Sequence, residues 1–333
     1  MPIVSALMRY LEVGGERVSV IGLGTWQFGS REWGYGSHYA EHDAVDILSR
    51  ALDLGVNLVD TAEIYGFGRS ERIVARAIAG RRPEVFVATK VFPVLPLRAV
   101  VAQRARGSAR RLGVAQIDLY QLHQPNPVVS LTEQMAAMRA LQSSGLIRQI
   151  GVSNYSLERW QAAEGALGRP VFSNQVRFNL VDRRPLQGMV EWATANDRVV
   201  IAYSPLAQGL LSGRYDPEHR PTAMRANMRA FLPENLERAR LLIGTLRDIA
   251  SSHDATAAQV ALAWVISHRS VVAIPGASTV AQLQRNVEAA DLELTPEDTH
   301  RLLDAAEGYH PVGPVASVPS WLRTRGEGRR HKR

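Results

Sequence analysis

The stretch DTAEIYG occupies positions 60–66 and follows directly on a short apolar run. This pattern indicates a buried strand that ends on the carboxylate of Asp60. A phenol follows five residues later and then a glycine, so the strand brings polar groups to its carboxyl end. The same pattern recurs twice, because the run VFVATK ends on Lys90 and the run IDLYQLH ends on His123. We therefore expect Asp60, Tyr65, Lys90 and His123 to form one site.

Apolar runs alternate with helical periodicity through the rest of the chain. The predicted strands lie at 20–25, 57–61, 85–89, 117–122, 147–152, 172–176, 198–203 and 271–274. The predicted helices lie at 41–54, 69–79, 97–112, 130–143, 156–167, 185–195, 235–252, 256–267 and 279–289. This alternation predicts a parallel sheet, and eight units favour a (β/α)8 TIM barrel over an open doubly wound sheet. The first βα turn holds Gly22 and Gly24, but no third glycine follows at the right spacing and no helix follows immediately, which also argues against an open dinucleotide-binding fold.

Two kinds of element are expected outside this repeat. Residues 7–20 predict an N-terminal β-hairpin that turns at two consecutive glycines. Extra C-terminal helices are expected, the last of them at 295–307 with proline at its first position. We expect one barrel domain over 1–310 and a flexible basic tail over 311–333. The last eleven residues hold six Arg and Lys residues and one Glu, a net +5 of the +7 of the whole chain.

Composition excludes several classes of function. The chain has no cysteine, which rules out disulfides, thiolate metal sites and cysteine catalysis. It has no apolar run of about 18 residues, and residues 1–11 lack the pattern of a signal peptide. We expect a cytoplasmic protein that has a small-molecule partner and contacts neither membrane nor nucleic acid. We also expect no metal, because His38 and His42 have the spacing of a ligand pair but no third ligand.

Lysine is rare in this chain, since only Lys90 and Lys332 accompany 37 arginines. Arginine stays protonated and presents a wide planar fork, whereas the lysine ammonium is compact and its pKa responds to its surroundings. A chain that uses arginine almost everywhere, yet places lysine at the end of a buried strand, indicates that arginine does not serve at position 90.

The four titratable groups suit the protonation of an oxygen that gains negative charge. A phenol at Tyr65 near Lys90 is expected to have a lowered pKa, because a positive charge favours phenolate. Asp60 is expected to hold the ammonium charged and in place, and His123 to bond the same substrate oxygen. A carbonyl that receives a hydride is such an oxygen, and the hydride has to come from a nicotinamide or a flavin.

Residues at other strand ends suit a nicotinamide cofactor. Tyr203 offers a flat ring face, and Ser153, Asn154 and Gln175 offer donors and acceptors for a carboxamide. The segment SPLAQGLLSGR at 204–214 offers small side chains and backbone N–H groups to a pyrophosphate. A second glycine turn at 275–279 leads into a helix start, where a phosphate can rest.

These stretches resemble the aldo-keto reductase superfamily over about residues 8–308. The segments that carry the resemblance are 60–66 with Gly68, Ser70 and Glu71, then 88–90, 118–123, 151–155, 174–175, 203–206 and 274–278. The resemblance implies a (β/α)8 barrel that uses NADPH to reduce aldehydes and ketones, with the reverse oxidation possible. It implies that Tyr65 is the general acid, that Lys90 tunes it, that Asp60 holds Lys90 and that His123 orients the carbonyl.

The cofactor regions also resemble the potassium channel β-subunit branch of the superfamily. The residues expected to bind NADPH or NADP+ are Gly24, Thr25, Trp26, Ser153, Asn154, Gln175, Tyr203, Ser204, Pro205, Leu206, Gln208, Arg214, Arg225, Gly276, Ser278, Gln282 and Asn286. The expected substrate pocket consists of Trp26, Trp33, Tyr65 and His123.

The chain departs from the family pattern around the turn expected to take the 2′-phosphate. Gly276 and Ala277 stand where many members have lysine or arginine, Gln282 where arginine is common and Arg285 where glutamate is common. Two other functions stay open at this point. One is a regulatory subunit that binds NADP(H) and turns over slowly, and the other is an aldolase that forms a Schiff base at Lys90. The physiological substrate and the oligomeric state are not given by the sequence.

Overall fold

A computed structural model describes residues 8–29, 35–36 and 40–313 of the chain. Trp33, which is expected in the substrate pocket, and the tail beyond 313 lie outside the described residues.

The chain begins its described part with the expected hairpin. Strands β1 (Tyr10–Val13) and β2 (Glu16–Ser19) pair in antiparallel fashion. Gly14 and Gly15 form the turn with φ of 55° and 78°, a conformation that L side chains rarely adopt. The prediction of a hairpin that turns at these two glycines is confirmed.

Eight parallel strands follow in the expected order. They are β3 (Leu23–Gly24), β4 (Leu58–Asp60), β5 (Phe86–Val91), β6 (Ile117–Leu122), β7 (Ile147–Ser153), β8 (Ser173–Arg177), β9 (Val199–Tyr203) and β10 (Val271–Ala273). Each strand from β3 to β10 pairs with the next along the chain. The backbone N–H of Gly22 donates to Ala273 O at 2.8 Å, and the N–H of Ala273 donates to Val20 O at 2.8 Å. These bonds join the first strand to the last, so the predicted (β/α)8 barrel is confirmed.

The positions of the helices agree with the predicted positions, apart from two differences. They are α1 (Glu41–Asp53), α2 (Arg69–Ile78), α3 (Arg98–Leu112), α4 (Leu131–Ser143), α5 (Leu157–Leu167), α6 (Met189–Ala195), α7 (Pro233–Arg238), α8 (Arg240–Ser252), α9 (Ala257–Ile266), α10 (Val280–Glu288) and α11 (Pro296–Glu307). The helix expected at 235–252 is two helices, α7 and α8. The helix expected at 185–195 begins only at Met189, because Gly188 with φ of 90° interrupts it.

The interior of the barrel is apolar at its amino-terminal end. Val13 and Val18 of the hairpin belong to the same buried cluster as Phe86 and Phe172, whose ring centroids lie 5.8 Å apart. The hairpin thereby closes this end of the barrel. The polar interior residues described below lie toward the opposite end of the same strands.

The chain divides into two compact units. The first, Met1–Pro205 with Leu262–Glu293, contains the hairpin and all eight strands of the barrel sheet. In the second, Leu206–Ala261 with Leu294–Arg333, α8 packs on α11 and His253 Nε2 lies 2.9 Å from Asp298 Oδ2. The prediction of one domain over 1–310 stays a prediction. No helix in the described part of the chain is long and apolar enough to cross a membrane.

Candidate active site

Lys90 lies at the centre of the polar end of the barrel. Its Nζ donates to Asp60 Oδ1 at 2.6 Å, to Thr61 O at 2.8 Å and to Tyr65 Oη at 3.3 Å. The side chain is fully buried. Burial acts to lower the pKa of Lys90, but Asp60 and Tyr65 outweigh it, and the pKa is raised. Lys90 is therefore an ammonium held in one place by three oxygen atoms.

Tyr65 is half-buried beside this ammonium. The sequence led us to expect a lowered pKa, and that expectation is wrong. Lys90 does act to lower the pKa of Tyr65, but burial of the phenol raises it by more, and Asp60 adds to the rise. The phenol consequently keeps its proton at neutral pH, which suits a group that donates a proton.

His123 follows β6 and faces the ring of Tyr65. The two ring centroids lie 5.9 Å apart in an edge-to-face arrangement, and Phe92 packs on His123 in the same way at 5.9 Å. Burial and the charge of Lys90 lower the pKa of His123 to about 3. Its Nδ1 is buried and has no hydrogen-bond partner among the described residues. A neutral imidazole at this point can donate one hydrogen bond to a substrate oxygen.

The sheet register explains why these side chains meet. Asp60 on β4 pairs with Ala88 on β5, two residues before Lys90, so the carboxylate and the ammonium share the interior face. After Asp60 the chain turns through Tyr65–Gly68, where Gly66 and Gly68 have φ of 53° and 77°, and then starts α2. These glycines permit the tight turn that points the phenol back toward Lys90.

A buried hydroxyl cluster, formed by Thr25, Thr61 and Ser70, supports this turn. The Oγ atoms of Thr25 and Ser70 lie 2.7 Å apart, and Thr61 Oγ1 donates to Ser70 Oγ at 2.9 Å. Thr25 also donates to Asp60 O from both its N–H and its Oγ1, at 2.9 Å each. Thr25 was expected near the cofactor, whereas Ser70 and the carbonyl of Thr61 were not foreseen as parts of the site. Ser70 could have been identified from the sequence, because it belongs to the Ser-Glu pair in the first turn of α2.

Two amide side chains bind the other oxygen of Asp60. Gln175 Nε2 donates to Asp60 Oδ2 at 2.8 Å, and Gln121 Nε2 lies 3.4 Å from the same atom. Gln175 was expected to serve the cofactor, and that role stays a prediction, while the structure directs its amide N–H at the carboxylate. Gln121 was not foreseen, although a glutamine inside the buried run IDLYQLH was an available signal.

A second polar cluster, consisting of Ser153, Asn154 and Tyr203, lies at the ends of β7 and β9. Tyr203 Oη donates to Asn154 Oδ1 at 2.9 Å, and Asn154 Nδ2 donates to His123 O at 3.2 Å. Ser153 Oγ donates to Gln175 O at 2.9 Å. The structure thus brings these predicted nicotinamide partners together with His123. A half-buried tyrosine ring beside amide groups fits the flat ring and carboxamide of a nicotinamide.

Residues of the second glycine turn also come together. Ser278 N–H donates to Gln282 Oε1 at 2.9 Å, and Asn286 Nδ2 lies 3.4 Å from Gly276 O. At Gly24, a Cβ would come within 2.7 Å of Ile274 O, so this glycine lets β3 approach the residue that follows β10. Close packing at Gly24 therefore follows from the fold, and its role toward a cofactor stays a prediction.

The remaining predicted residues fall in different parts of the chain. Trp26 is 43 % exposed, with its ring centroid 6.3 Å from that of Tyr65. Asn179 Nδ2 donates to the carbonyl of Ser204, which is followed by Pro205 at the end of the first unit. Leu206, Gln208, Arg214 and Arg225 belong to the second unit, and their roles stay predictions. Phe92, 36 % exposed, is an aromatic neighbour of His123 that the sequence had not indicated.

Comparison with known proteins gives a consistent result. The sequence model of the aldo/keto reductase family matches residues 20–307 of this chain. The oxidoreductase Rv2298 of Mycobacterium tuberculosis is 58 % identical over 317 residues, which are 95 % of this chain and 98 % of the relative. The methylglyoxal reductase YeaE of Escherichia coli is 33 % identical over 297 residues, which are 88 % of this chain and 92 % of the relative.

Solved structures of similar proteins share the fold. An aldo/keto reductase from Klebsiella pneumoniae, solved in complex with NADP and acetate, has a TM-score of 0.73 and 29 % identity to this chain. The match covers 94 % of this chain and 99 % of that one.

Proposed function

Because the chain belongs to the aldo/keto reductase family of oxidoreductases, we propose that it is an NADPH-dependent reductase of aldehydes and ketones. One observation carries the proposal: Lys90 Nζ lies 2.6 Å from Asp60 Oδ1 and 3.3 Å from Tyr65 Oη. A buried ammonium between a carboxylate and a protonated phenol stabilises the charge that develops when the phenol gives up its proton.

In this mechanism Tyr65 Oη donates its proton to the carbonyl oxygen of the substrate. The raised pKa of Tyr65 keeps the phenol protonated until that oxygen becomes basic, and Lys90 then stabilises the phenolate. His123, neutral because its pKa is lowered to about 3, donates a hydrogen bond that orients the carbonyl. Trp26 and Phe92 provide apolar walls on two sides of these groups.

NADPH, when bound, supplies the hydride. Asn154, Ser153 and the ring of Tyr203 are proposed to hold the nicotinamide end, and the turn at 276–286 a phosphate. The support is that Tyr203, Asn154 and His123 are joined by hydrogen bonds, and that a structural relative was solved with NADP. A cytoplasmic location belongs to the same proposal.

The contacts of Lys90 argue against a Schiff-base aldolase. Such an enzyme needs a neutral amine with a free lone pair, whereas the pKa of Lys90 is raised and its Nζ already meets three oxygen atoms. Borohydride trapping of a substrate on Lys90 would overturn this conclusion.

The test is steady-state oxidation of NADPH, followed by absorbance, with a panel of aldehydes and ketones. We expect turnover that saturates with substrate and depends on the carbonyl compound. Stoichiometric binding of NADPH without turnover on any member of the panel would instead favour the regulatory-subunit alternative.

A further inference from the structure

We propose that Gln121 is a positioning residue that acts through Asp60, a role that rests on the proposed function of Tyr65 and Lys90. Its amide nitrogen and that of Gln175 converge on Asp60 Oδ2, at 3.4 Å and 2.8 Å. Oδ1 of the same carboxylate is thereby left to Lys90 at 2.6 Å. The two amides fix the rotation of the carboxylate and so fix where the ammonium lies.

The sheet register places Gln121 between the catalytic lysine and a glycine. Gln121 on β6 pairs with Lys90 on β5 and with Gly151 on β7. A Cβ on Gly151 would lie 2.8 Å from Cγ of Gln121 and 2.5 Å from Oγ of Ser173. The missing side chain at Gly151 therefore makes room for the glutamine.

Packing alone does not account for a glutamine at position 121. The side chain is fully buried, and its Oε1 has no hydrogen-bond partner in the part of the chain that the structure describes. A buried acceptor without a partner costs free energy that a methionine of similar length would not. The amide N–H of Gln121 explains why a polar side chain stands here. It faces the carboxylate of Asp60, whose negative charge is stabilised by hydrogen-bond donors.

The orientation of Asp60 reaches the reacting atoms through Lys90. Lys90 Nζ has Asp60, the carbonyl of Thr61 and Tyr65 Oη as partners, so a rotation of the carboxylate displaces the ammonium from the phenol. In the described part of the chain, Gln121 forms no hydrogen bond with Tyr65 or His123. A change at Gln121 is thus expected to alter kcat and to leave substrate binding unchanged.

The test replaces Gln121 by methionine, with Gln134→Met as the matched control. Gln134 is equally buried, in α4, and its Oε1 likewise has no partner among the described residues. We expect Gln121→Met to lower kcat about tenfold, the scale of a small misplacement of reacting groups. The substrate KM and the Kd for NADPH should stay within about twofold, and Gln134→Met should leave all three unchanged.

A double-mutant cycle tests whether the effect passes through Asp60. In the background of Asp60→Asn, the loss caused by Gln121→Met is expected to disappear, because the charged acceptor is gone. A kcat for Gln121→Met within twofold of the wild type, or an equal loss in both backgrounds, would overturn the proposal.

An NMR measurement that does not depend on turnover tests the role of Gln121 separately from the proposed reductase function. The chain has only two lysines, so protein labelled with [15N]lysine gives one Nζ signal for Lys90 and one for Lys332. We expect the Lys90 signal to shift and to exchange faster with solvent in Gln121→Met but not in Gln134→Met. If the wild type reduces no carbonyl compound, the proposed function fails, while an unchanged Lys90 signal would still refute the role of Gln121.

Gln121→Glu provides a second variant should the methionine variant fail to fold. The new carboxyl would face Asp60, with Lys90 and Tyr65 nearby, and the neighbouring negative charge raises its pKa. At a pH low enough to protonate this carboxyl, its O–H can replace the amide donor, so kcat is expected to approach that of the wild type there. It should fall as the pH rises and the group ionises, and a profile parallel to the wild type would contradict the proposal.

Discussion

The two ends of the barrel interior are built from the same strands but from opposite kinds of residue. At the amino-terminal end the inward positions are apolar, as at Leu58, Phe86 and Leu119. Further along the same faces the side chains are Asp60, Lys90 and Gln121, all buried. Because alternate residues of a strand share a face, the interior changes from apolar to polar along each of these strands. We therefore expect one end to contribute stability and the other, under the proposed function, to contribute chemistry at the cost of burying charge.

The largest effect is expected at the polar end, from Tyr65→Phe. This variant removes the proton donor and leaves the ring, so kcat is expected to fall by about 10²–10⁴-fold while NADPH still binds. Single-turnover reduction and fluorescence titration of NADPH measure the two quantities. A kcat within about threefold of the wild type, less than ~1 kcal/mol of barrier, would remove Tyr65 from the role of acid.

Lys90→Arg is expected to come next, with a loss of kcat of about 10²-fold or more. The charge is retained, but a planar guanidinium cannot occupy a compact position between Asp60 Oδ1, Thr61 O and Tyr65 Oη. Lys332→Arg is the matched control and should change nothing in the assay. Near-normal activity of Lys90→Arg would contradict the inference drawn from the scarcity of lysine.

At the apolar end, Phe172→Ala is expected to act on stability rather than on chemistry. Phe172 is buried against Phe86 and the hairpin, and removal of such a ring typically costs about 3–5 kcal/mol of the free energy of unfolding. Urea denaturation measures that loss, and kcat per folded molecule should stay within about twofold of the wild type. A large loss of kcat in the folded fraction would show that the two ends are coupled.

The last effect is a dependence of stability on pH, which is expected from the titration of His123. Folding lowers the pKa of His123 to about 3 from an unfolded value of about 6.5. Between these values the unfolded chain binds a proton that the folded chain does not, so stability falls as the pH drops from about 6.5 toward 3. His123→Gln should flatten the dependence of the unfolding free energy on pH in this window. An unchanged slope in urea denaturation series at several pH values would show that His123 is protonated in the folded state.

The sequence predicted the barrel because repetition is a property of the chain alone. Eight apolar runs, each followed by helical periodicity, can be recognised without knowing which side chains are in contact. Polar residues at strand ends, such as Asp60 and Lys90, mark the polar end of the barrel. The bonding partners of a side chain depend on register, so the sequence did not indicate that Gln175 and Gln121 would converge on one oxygen of Asp60. The pKa of Tyr65 was missed for a similar reason, because the competing effects of burial and of Lys90 depend on the packed structure.

The hydrogen bond from Gln175 to Asp60 joins β8 to β4, two strands that are not neighbours in the sheet. It crosses the interior of the barrel and connects residues 115 positions apart in the chain. During synthesis, Asp60, Tyr65 and Lys90 leave the ribosome long before Gln175 does. The carboxylate therefore lacks one of its donors until β8 has been synthesised and has folded against the earlier strands.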